Sequence, residues 1–264
     1  MTERSEGEGV LAGRVALVTG AAKRIGRAVA LRLAREGADV IVHYGTSREL
    51  ADDTAREIRS LGRSALVRRG DLQRLPDIER LVAAVHEHFG RLDILVNNAA
   101  LFLPAGLEFA TEAQWDATLD TNLKAQFFCA QAAAPLLKKS GRGVIINFAS
   151  LGGLLAWPGY IPYCVSKAGV IMLTRCLAKA LAPKVRVNAV APGTISMPGD
   201  PPEWETDYIR LAPLGRTGTP EEGVTPVNVP STAIWAAELE ERLQMLRLVA
   251  EPFFDETGEP SHIN

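Results

Sequence analysis

The sequence predicts a three-layer α/β/α fold, in which helices cover both faces of a doubly wound parallel sheet. Two observations lead to this fold class: short apolar runs alternate with long amphipathic segments from residue 14 onward, and no linker-like stretch interrupts them. Two parallel strands need a long crossover, which a helix supplies, so the alternation indicates βαβ units. The chain has 264 residues and is 47% hydrophobic, which is enough to bury one large core.

The predicted strands and helices follow one another in strict alternation. The strands are six apolar runs, in chain order RVALVT, DVIVHY, SALVRRGDL, LDILVNN, GVIINFAS and VRVNAVAPG. The helices between them are the runs RAVALRLAREG, SRELADDTAREIRSLG, LPDIERLVAAVHEHFG, TEAQWDATLDTNLKAQFFCAQAAAPLLKKSG and, last, the run that contains YCVSK. Strands without a polar face are typical of a sheet that is buried on both sides, and this indicates a Rossmann-type fold.

Capping residues mark several helix boundaries. The pairs Thr46–Glu49 and Thr111–Gln114 match the capping box, in which two side chains three residues apart satisfy amides at a helix start. Glycines stand where helices should end, at Gly37, Gly62 and Gly90.

The two ends of the chain differ from the segment between them. Residues 1–11 are polar and acidic and lack the apolar core of a signal peptide, so we expect a flexible tail. Residues 12–222 form the predicted domain. Residues 223–264 read as an atypical segment, helical over 231–250 and packed on the same domain. With no apolar run of about 18 residues and a net charge of -2, we expect a cytoplasmic protein without membrane or nucleic-acid contacts.

The cysteines and histidines give no pattern of a metal site or a disulfide framework. We expect the cysteines to be small core residues of a reducing compartment; they are Cys129, Cys164 and Cys176. The four histidines are scattered. His86 and His88 are predicted to lie at a solvated helix end.

Ligands of doubly wound sheets bind beyond the carboxyl ends of the strands. The first strand ends in TGAAKRIG, where Gly20 and Gly26 flank a turn into a helix whose N-terminal amides suit a pyrophosphate. Lys23 and Arg24 oppose the helix dipole there, so a bound anion explains them better than solvation does.

The end of the second strand indicates which dinucleotide is bound. A fold that prefers NAD usually places an acidic residue here for the ribose 2′-hydroxyl. This chain instead has Thr46, Ser47 and Arg48, which suit a 2′-phosphate. The sequence therefore favours NADP(H) over NAD(H), while a simple capped helix start is the alternative interpretation.

The other strand ends carry polar or small residues as well. Asp71 and Leu72 follow the third strand and could hold an adenine, although a surface turn is equally consistent with them. Asn98 follows the fourth strand and Ser150 the fifth, and APGTI follows the sixth. Tyr163 and Lys167 lie four residues apart on the next helix, so their polar tips share a face.

Taken together, these motifs resemble the short-chain dehydrogenase/reductase family over roughly residues 12–222. The resemblance is carried by TGAAKRIG, GDL at 70–72, NNAA at 97–100, Asn122 in DTNLKAQFF, Ser150, Tyr163-x-x-x-Lys167 and NAVAPG at 188–193. It implies that Tyr163 is the general acid, that Lys167 lowers the pKa of Tyr163, that Ser150 binds the substrate oxygen, and that Asn122 holds a water in a proton relay. It implies a cofactor site formed by Gly20, Lys23, Arg24, Ile25, Gly26, Tyr44, Thr46, Ser47, Arg48, Asp71, Leu72, Asn98, Tyr163, Lys167, Pro192, Gly193 and Ile195.

The resemblance implies an NADP(H)-dependent reductase of ketones or 3-oxoacyl compounds, assembled as a homo-oligomer, either a tetramer or a dimer. The segments VHYGTS and MLTRCLAKAL are similar to pteridine reductases, so a dihydropterin reductase is the alternative. Those enzymes carry an acidic residue where this chain has Ser150, which favours ketone reduction. An interpretation from another class is a catalytically silent NADP-binding sensor.

Overall fold

The computed structural model describes residues 9–197, 200, 209 and 215–219. Within these residues six strands form one parallel sheet, ordered β3-β2-β1-β4-β5-β6. The strands are β1 Val15–Val18, β2 Asp39–Tyr44, β3 Ala65–Arg69, β4 Ile94–Asn97, β5 Gly143–Phe148 and β6 Val185–Val190. The order reverses direction between β1 and β4, as in a doubly wound sheet, so the predicted fold class is confirmed.

Helices connect the strands and cover both faces of the sheet. They are α1 Arg24–Arg35, α2 Arg48–Ser60, α3 Leu75–Phe89, α4 Glu112–Leu119, α5 Ala125–Lys139 and α6 Ile161–Leu181. Alternate residues of β1 point to opposite faces and enter two separate cores, Ala16 and Val18 into one and Val15 and Leu17 into the other. The sheet is therefore buried on both sides, as its apolar strands predict.

The predicted long helix is one continuous helical run with a change of pitch inside it. A π turn, Asp120–Lys124, joins α4 to α5, and the amide of Ala125 donates to the carbonyl of Asp120, five residues earlier. The Thr111–Gln114 capping box is confirmed at the start of α4, with the Thr111 hydroxyl accepting from the Gln114 amide at 3.2 Å.

The second predicted capping box is wrong. Helix α2 begins at Arg48 with Ser47 at the cap position, and no side chain in the described chain caps it. Because the helix starts one residue later than the box requires, Glu49 stands too early to reach back to the cap. The predicted C-terminal glycines are confirmed, since Gly37, Gly62 and Gly90 have φ of 99°, 74° and 68°.

The structure differs from the sequence-based prediction in two further places. Leu11, which the sequence places in the tail, is buried against α1, and its amide donates to the Glu36 carbonyl at 2.7 Å. Of the cysteines only Cys129 is a core residue; Cys164 is half-buried and Cys176 is exposed on α6. Residues 1–8 and 223–264, and with them the predicted C-terminal helix, lie outside the described residues.

None of the described helices has the length and apolarity that crossing a bilayer requires. His86 and His88 are exposed in the last turn of α3, as predicted.

Candidate active site

The turn after β1 is built on glycines that approach other backbone closely. Gly20 has φ of 65°, and a Cβ at Gly26 would lie 2.2 Å from the Gly20 carbonyl oxygen and 2.5 Å from the side-chain nitrogen of Asn98. Asn98 holds the same turn from the end of β4, because its Nδ2 donates to the carbonyl of Thr19 at 2.9 Å. No side chain at Gly26 fits this turn without displacing it.

His43 ties three strand ends together, and sequence reasoning missed it. The Gly20 amide donates to His43 Nδ1 at 3.1 Å, so Nε2 carries the ring proton and donates to the Gly70 carbonyl at 3.1 Å. Burial lowers the pKa of His43 to about 4 and keeps the ring neutral. The sequence signal that could have indicated this role is a histidine directly after the apolar residues at 40–42 of a predicted buried strand.

The start of α1 fits a bound anion. In the described chain no side chain caps this helix, and its first turn holds no acidic residue, so its N-terminal amides are available. Lys23 is exposed beside them. Beyond β2, a Cβ built on Gly45 meets no described atom within 4 Å, which leaves open space next to Thr46 and Ser47. These features fit the dinucleotide that the sequence predicts.

Arg24 is engaged differently from the prediction. It has a left-handed φ of 52°, which is unusual for a residue with a side chain. Its guanidinium donates to both carboxylate oxygens of Asp200, at 2.5 and 2.9 Å. In this structure the Asp200 carboxylate therefore binds the Arg24 guanidinium, which the sequence assigns to a bound anion.

The remaining predicted cofactor residues differ in burial. Tyr44 and Leu72 are core side chains, each 6% exposed, and Ile25 packs against the same core as Tyr44. Asp71 is exposed and accepts from the Gln73 amide at 3.1 Å, which is the surface-turn arrangement that its sequence also allowed. The other members are half-buried or exposed near the strand ends: Thr46, Ser47, Arg48, Pro192, Gly193 and Ile195.

Tyr163, Lys167 and Ser150 meet at the carboxyl end of β5. Helix α6 carries Tyr163 and Lys167 on one face, and the ammonium of Lys167 lies 5.7 Å from the centroid of the Tyr163 ring. Lys167 is buried and donates to the Phe148 carbonyl at 2.7 Å. Ser150 lies two residues beyond β5, near enough to Tyr163 to influence the pKa of its hydroxyl, and accepts from the Gly152 amide at 3.1 Å.

Burial governs the protonation of this cluster. It raises the pKa of Tyr163, and the interaction with the Ser150 side chain opposes that shift. It also lowers the pKa of Lys167 to about 7. The direction for Tyr163 is opposite to the lowering predicted from the lysine charge, because removal of the hydroxyl from water disfavours the charged phenolate.

Asn122 lies in the π turn and joins three segments. Its side chain pairs with the backbone of Leu101, accepting from the amide at 2.7 Å and donating to the carbonyl at 2.9 Å. It also donates to Ser166 Oγ at 3.1 Å, and that hydroxyl donates to the Tyr163 carbonyl at 2.7 Å. The amide therefore fixes the connection after β4 relative to the helix that carries Tyr163.

Three aromatic side chains next to Tyr163 were also missed: Phe102, Trp157 and Tyr160. They come from two connections that are far apart in sequence, so no local pattern predicts their contact.

Comparison with known proteins agrees with this architecture. The family model described as short chain dehydrogenase matches residues 14–206. A 3-oxoacyl-[acyl-carrier-protein] reductase from Synechocystis sp. is 38% identical over 213 residues, which cover 80% of this chain and 86% of that protein. A protein of the same name from Staphylococcus aureus is 41% identical over 181 residues, covering 68% and 74%.

Solved structures give the same result. A short-chain alcohol dehydrogenase from Sinorhizobium meliloti superimposes with a TM-score of 0.76 at 36% identity, covering 81% of this chain and 88% of that one. A mutant short-chain dehydrogenase/reductase from Serratia marcescens gives 0.78 at 32% identity, covering 82% and 89%. The chain therefore belongs to the short-chain dehydrogenase family and is an oxidoreductase that acts on carbonyl or hydroxyl groups.

Proposed function

We propose that the protein is an NADP(H)-dependent reductase that converts a carbonyl group to an alcohol, with Tyr163 as the proton donor. The observation that carries this proposal is the contact of Tyr163 with Ser150 at the end of β5, above the buried ammonium of Lys167. A silent nucleotide sensor needs no such proton donor, and the arrangement therefore favours catalysis.

Each side chain of the cluster has a role that follows from its position. NADPH, when bound, supplies the hydride. The Tyr163 hydroxyl gives its proton to the carbonyl oxygen, and Ser150 donates a hydrogen bond to the same oxygen as negative charge develops there. Lys167, anchored by the Phe148 carbonyl, places positive charge below the tyrosine ring and favours the phenolate after proton transfer.

Other residues hold the cofactor and the frame of the site. The glycine turn at Gly20 and Gly26 and the uncapped start of α1 accept the pyrophosphate. Thr46, Ser47 and Arg48 take the 2′-phosphate, and the absence of a carboxylate in HYGTSR supports NADP(H) rather than NAD(H). Asn122 is bonded to the backbone of Leu101 and would act as a positioning residue. We also propose that it holds a water of the proton relay.

The test is oxidation of NADPH and of NADH by the purified full-length chain, with ketones, 3-oxoacyl thioesters and dihydropterins as substrates. We expect turnover with NADPH and a carbonyl substrate, and a loss of at least about a hundredfold in Tyr163→Phe, which keeps the ring but removes the proton. NADPH binding without turnover on any substrate would instead indicate the sensor. Turnover confined to dihydropterins would indicate the pteridine reductase.

We also expect a homo-oligomer. The resemblance to the family implies it, and apolar side chains on α4, α5 and α6 are exposed where a partner subunit could cover them, namely Trp115, Phe127, Val165 and Met172. Light scattering of the eluted protein at several concentrations tests it, and a monomer at every concentration would contradict it.

A further inference from the structure

Three aromatic side chains form a continuous surface beside Tyr163, called here the aromatic wall: Phe102, Trp157 and Tyr160. Phe102 stacks on Tyr160 with ring centroids 4.3 Å apart and planes within 1° of parallel. Phe102 also packs against the Tyr163 ring in a T-shaped arrangement, with centroids 4.7 Å apart and planes at 73° to each other. Trp157 lies nearly parallel to Tyr163, with centroids 6.2 Å apart. The proposed proton donor is thus in ring contact with the wall.

Backbone contacts fix the wall in place. The Ala105 amide donates to the Gly159 carbonyl at 2.8 Å, and the Ile161 amide donates to the Ala105 carbonyl at 3.1 Å, so the two connections that carry the rings are bridged. A Cβ on Gly152 would lie 2.7 Å from the Trp157 ring, so the missing side chain lets the indole approach Tyr163. The backbone segments that carry the wall are therefore held together without a substrate.

Phe102 is 54% exposed although it is apolar and touches the proposed site. An exposed aromatic face gains most when a second flat ring covers it, because stacking adds to the burial of apolar area. A flexible acyl chain has no flat face to offer and gives up rotational freedom when it is ordered.

We propose that the aromatic wall makes this protein selective for substrates whose carbonyl group is attached to a flat, conjugated ring system. Conjugation keeps the carbonyl coplanar with the ring, so stacking on Phe102 also fixes the direction in which the oxygen faces Tyr163 and Ser150. The inference rests on the proposed reductase function and names the substrate class of the same site.

The experiment compares methyl naphthyl ketone with the N-acetylcysteamine thioester of acetoacetate, an acyclic substrate. Both binding, by calorimetry in the presence of NADP⁺, and NADPH-dependent turnover are measured for wild type and Phe102→Leu. We expect Phe102→Leu to bind the ketone about tenfold more weakly and to lose a similar factor in kcat/KM, with less than about a twofold change for the thioester. Phe102→Tyr keeps the ring and should keep the preference.

Two controls make the result specific. Phe109→Leu carries the same change in the same connection, at a ring that is 80% exposed, and should leave both substrates unaffected. Trp157→Leu removes the other side of the wall and should weaken ketone binding as Phe102→Leu does. Equal losses for ketone and thioester, or no loss for either, would overturn the inference. Ketone binding that depends on Phe102 without any turnover would support the wall while refuting the reductase.

Discussion

Arg24 and Asp200, 176 residues apart in sequence, are joined by two hydrogen bonds between the guanidinium and the carboxylate. The pair lies at the carboxyl edge of the sheet, at the start of α1, where the cofactor pyrophosphate is proposed to bind. Asp200 would therefore compete with that anion for the same cation, and its bond to Arg24 holds the pKa of the carboxyl below its usual range.

Replacing Asp200 with asparagine should strengthen NADPH binding. Arg24 would be released to the phosphate and one negative charge would leave its surroundings, so we expect Kd to fall about threefold at low salt, the size of a partly exposed ion pair. Titration of cofactor fluorescence measures it. Asp116→Asn makes the same charge change on the exposed side of α4 and should leave Kd unchanged. A higher Kd in Asp200→Asn, which means weaker binding, would show that the ion pair supports the cofactor site instead.

Protonation of His43 should destabilise the fold in acid. The pKa is about 4 in the folded protein and about 6.5 in the unfolded chain, so the unfolded state binds the proton first. The contribution is fully present above pH 6.5 and is lost as the pH falls to 4, at a total of about 3 kcal/mol. Urea unfolding across this range should show that loss in wild type and not in His43→Asn. Parallel pH profiles of the two proteins would contradict it.

Substitution of Gly26 should disrupt the turn after β1. Gly26→Ala places a carbon 2.2 Å from the Gly20 carbonyl oxygen, so we expect about 1–3 kcal/mol of destabilisation and a loss of NADPH affinity. Gly45→Ala is the matched control, since no described atom lies within 4 Å of its Cβ, and its unfolding free energy should change by less than about 0.5 kcal/mol. Equal effects of the two changes would refute the close approach.

The buried Lys167 should make stability rise with pH above neutrality. Its pKa is about 7 in the folded protein and about 10.5 in the unfolded chain, so the folded state releases the proton earlier. Between pH 7 and 9.5 this adds up to about 1.4 kcal/mol of stability per pH unit. Lys167→Met should lack this slope, together with turnover, when urea unfolding is followed over the same range. A slope that persists in the variant would assign it to other groups.

The fold could be predicted from sequence because its signals are local. Apolar runs such as DVIVHY, the capping box at Thr111 and glycines such as Gly90 each act over a few residues. The predicted box at Thr46 failed for the same reason, since a shift of one residue in the helix start removes the spacing that the box needs.

The site residues could be predicted only where they belong to a motif of residues close together in the chain. Tyr163 and Lys167 share a helix face, which their spacing of four residues reveals. The bond of Arg24 to Asp200, the ring pair of Phe102 and Tyr160, and the bridge made by His43 join residues that only the folded chain brings together. Burial likewise decides the direction of the pKa shift of Tyr163, and sequence alone does not give it.

The π turn at Asp120–Lys124 sets a limit on how this gene can gain or lose codons. It holds one residue more than a regular helix needs for the same rise, so deleting one residue would restore an unbroken α-helix. The same deletion would leave Cys129 and Ala133 facing the sheet, because the π turn absorbs the extra residue within a single turn. It would instead close the widened turn that carries Asn122, and with it the hydrogen bonds from Asn122 to Leu101 and Ser166 would be lost.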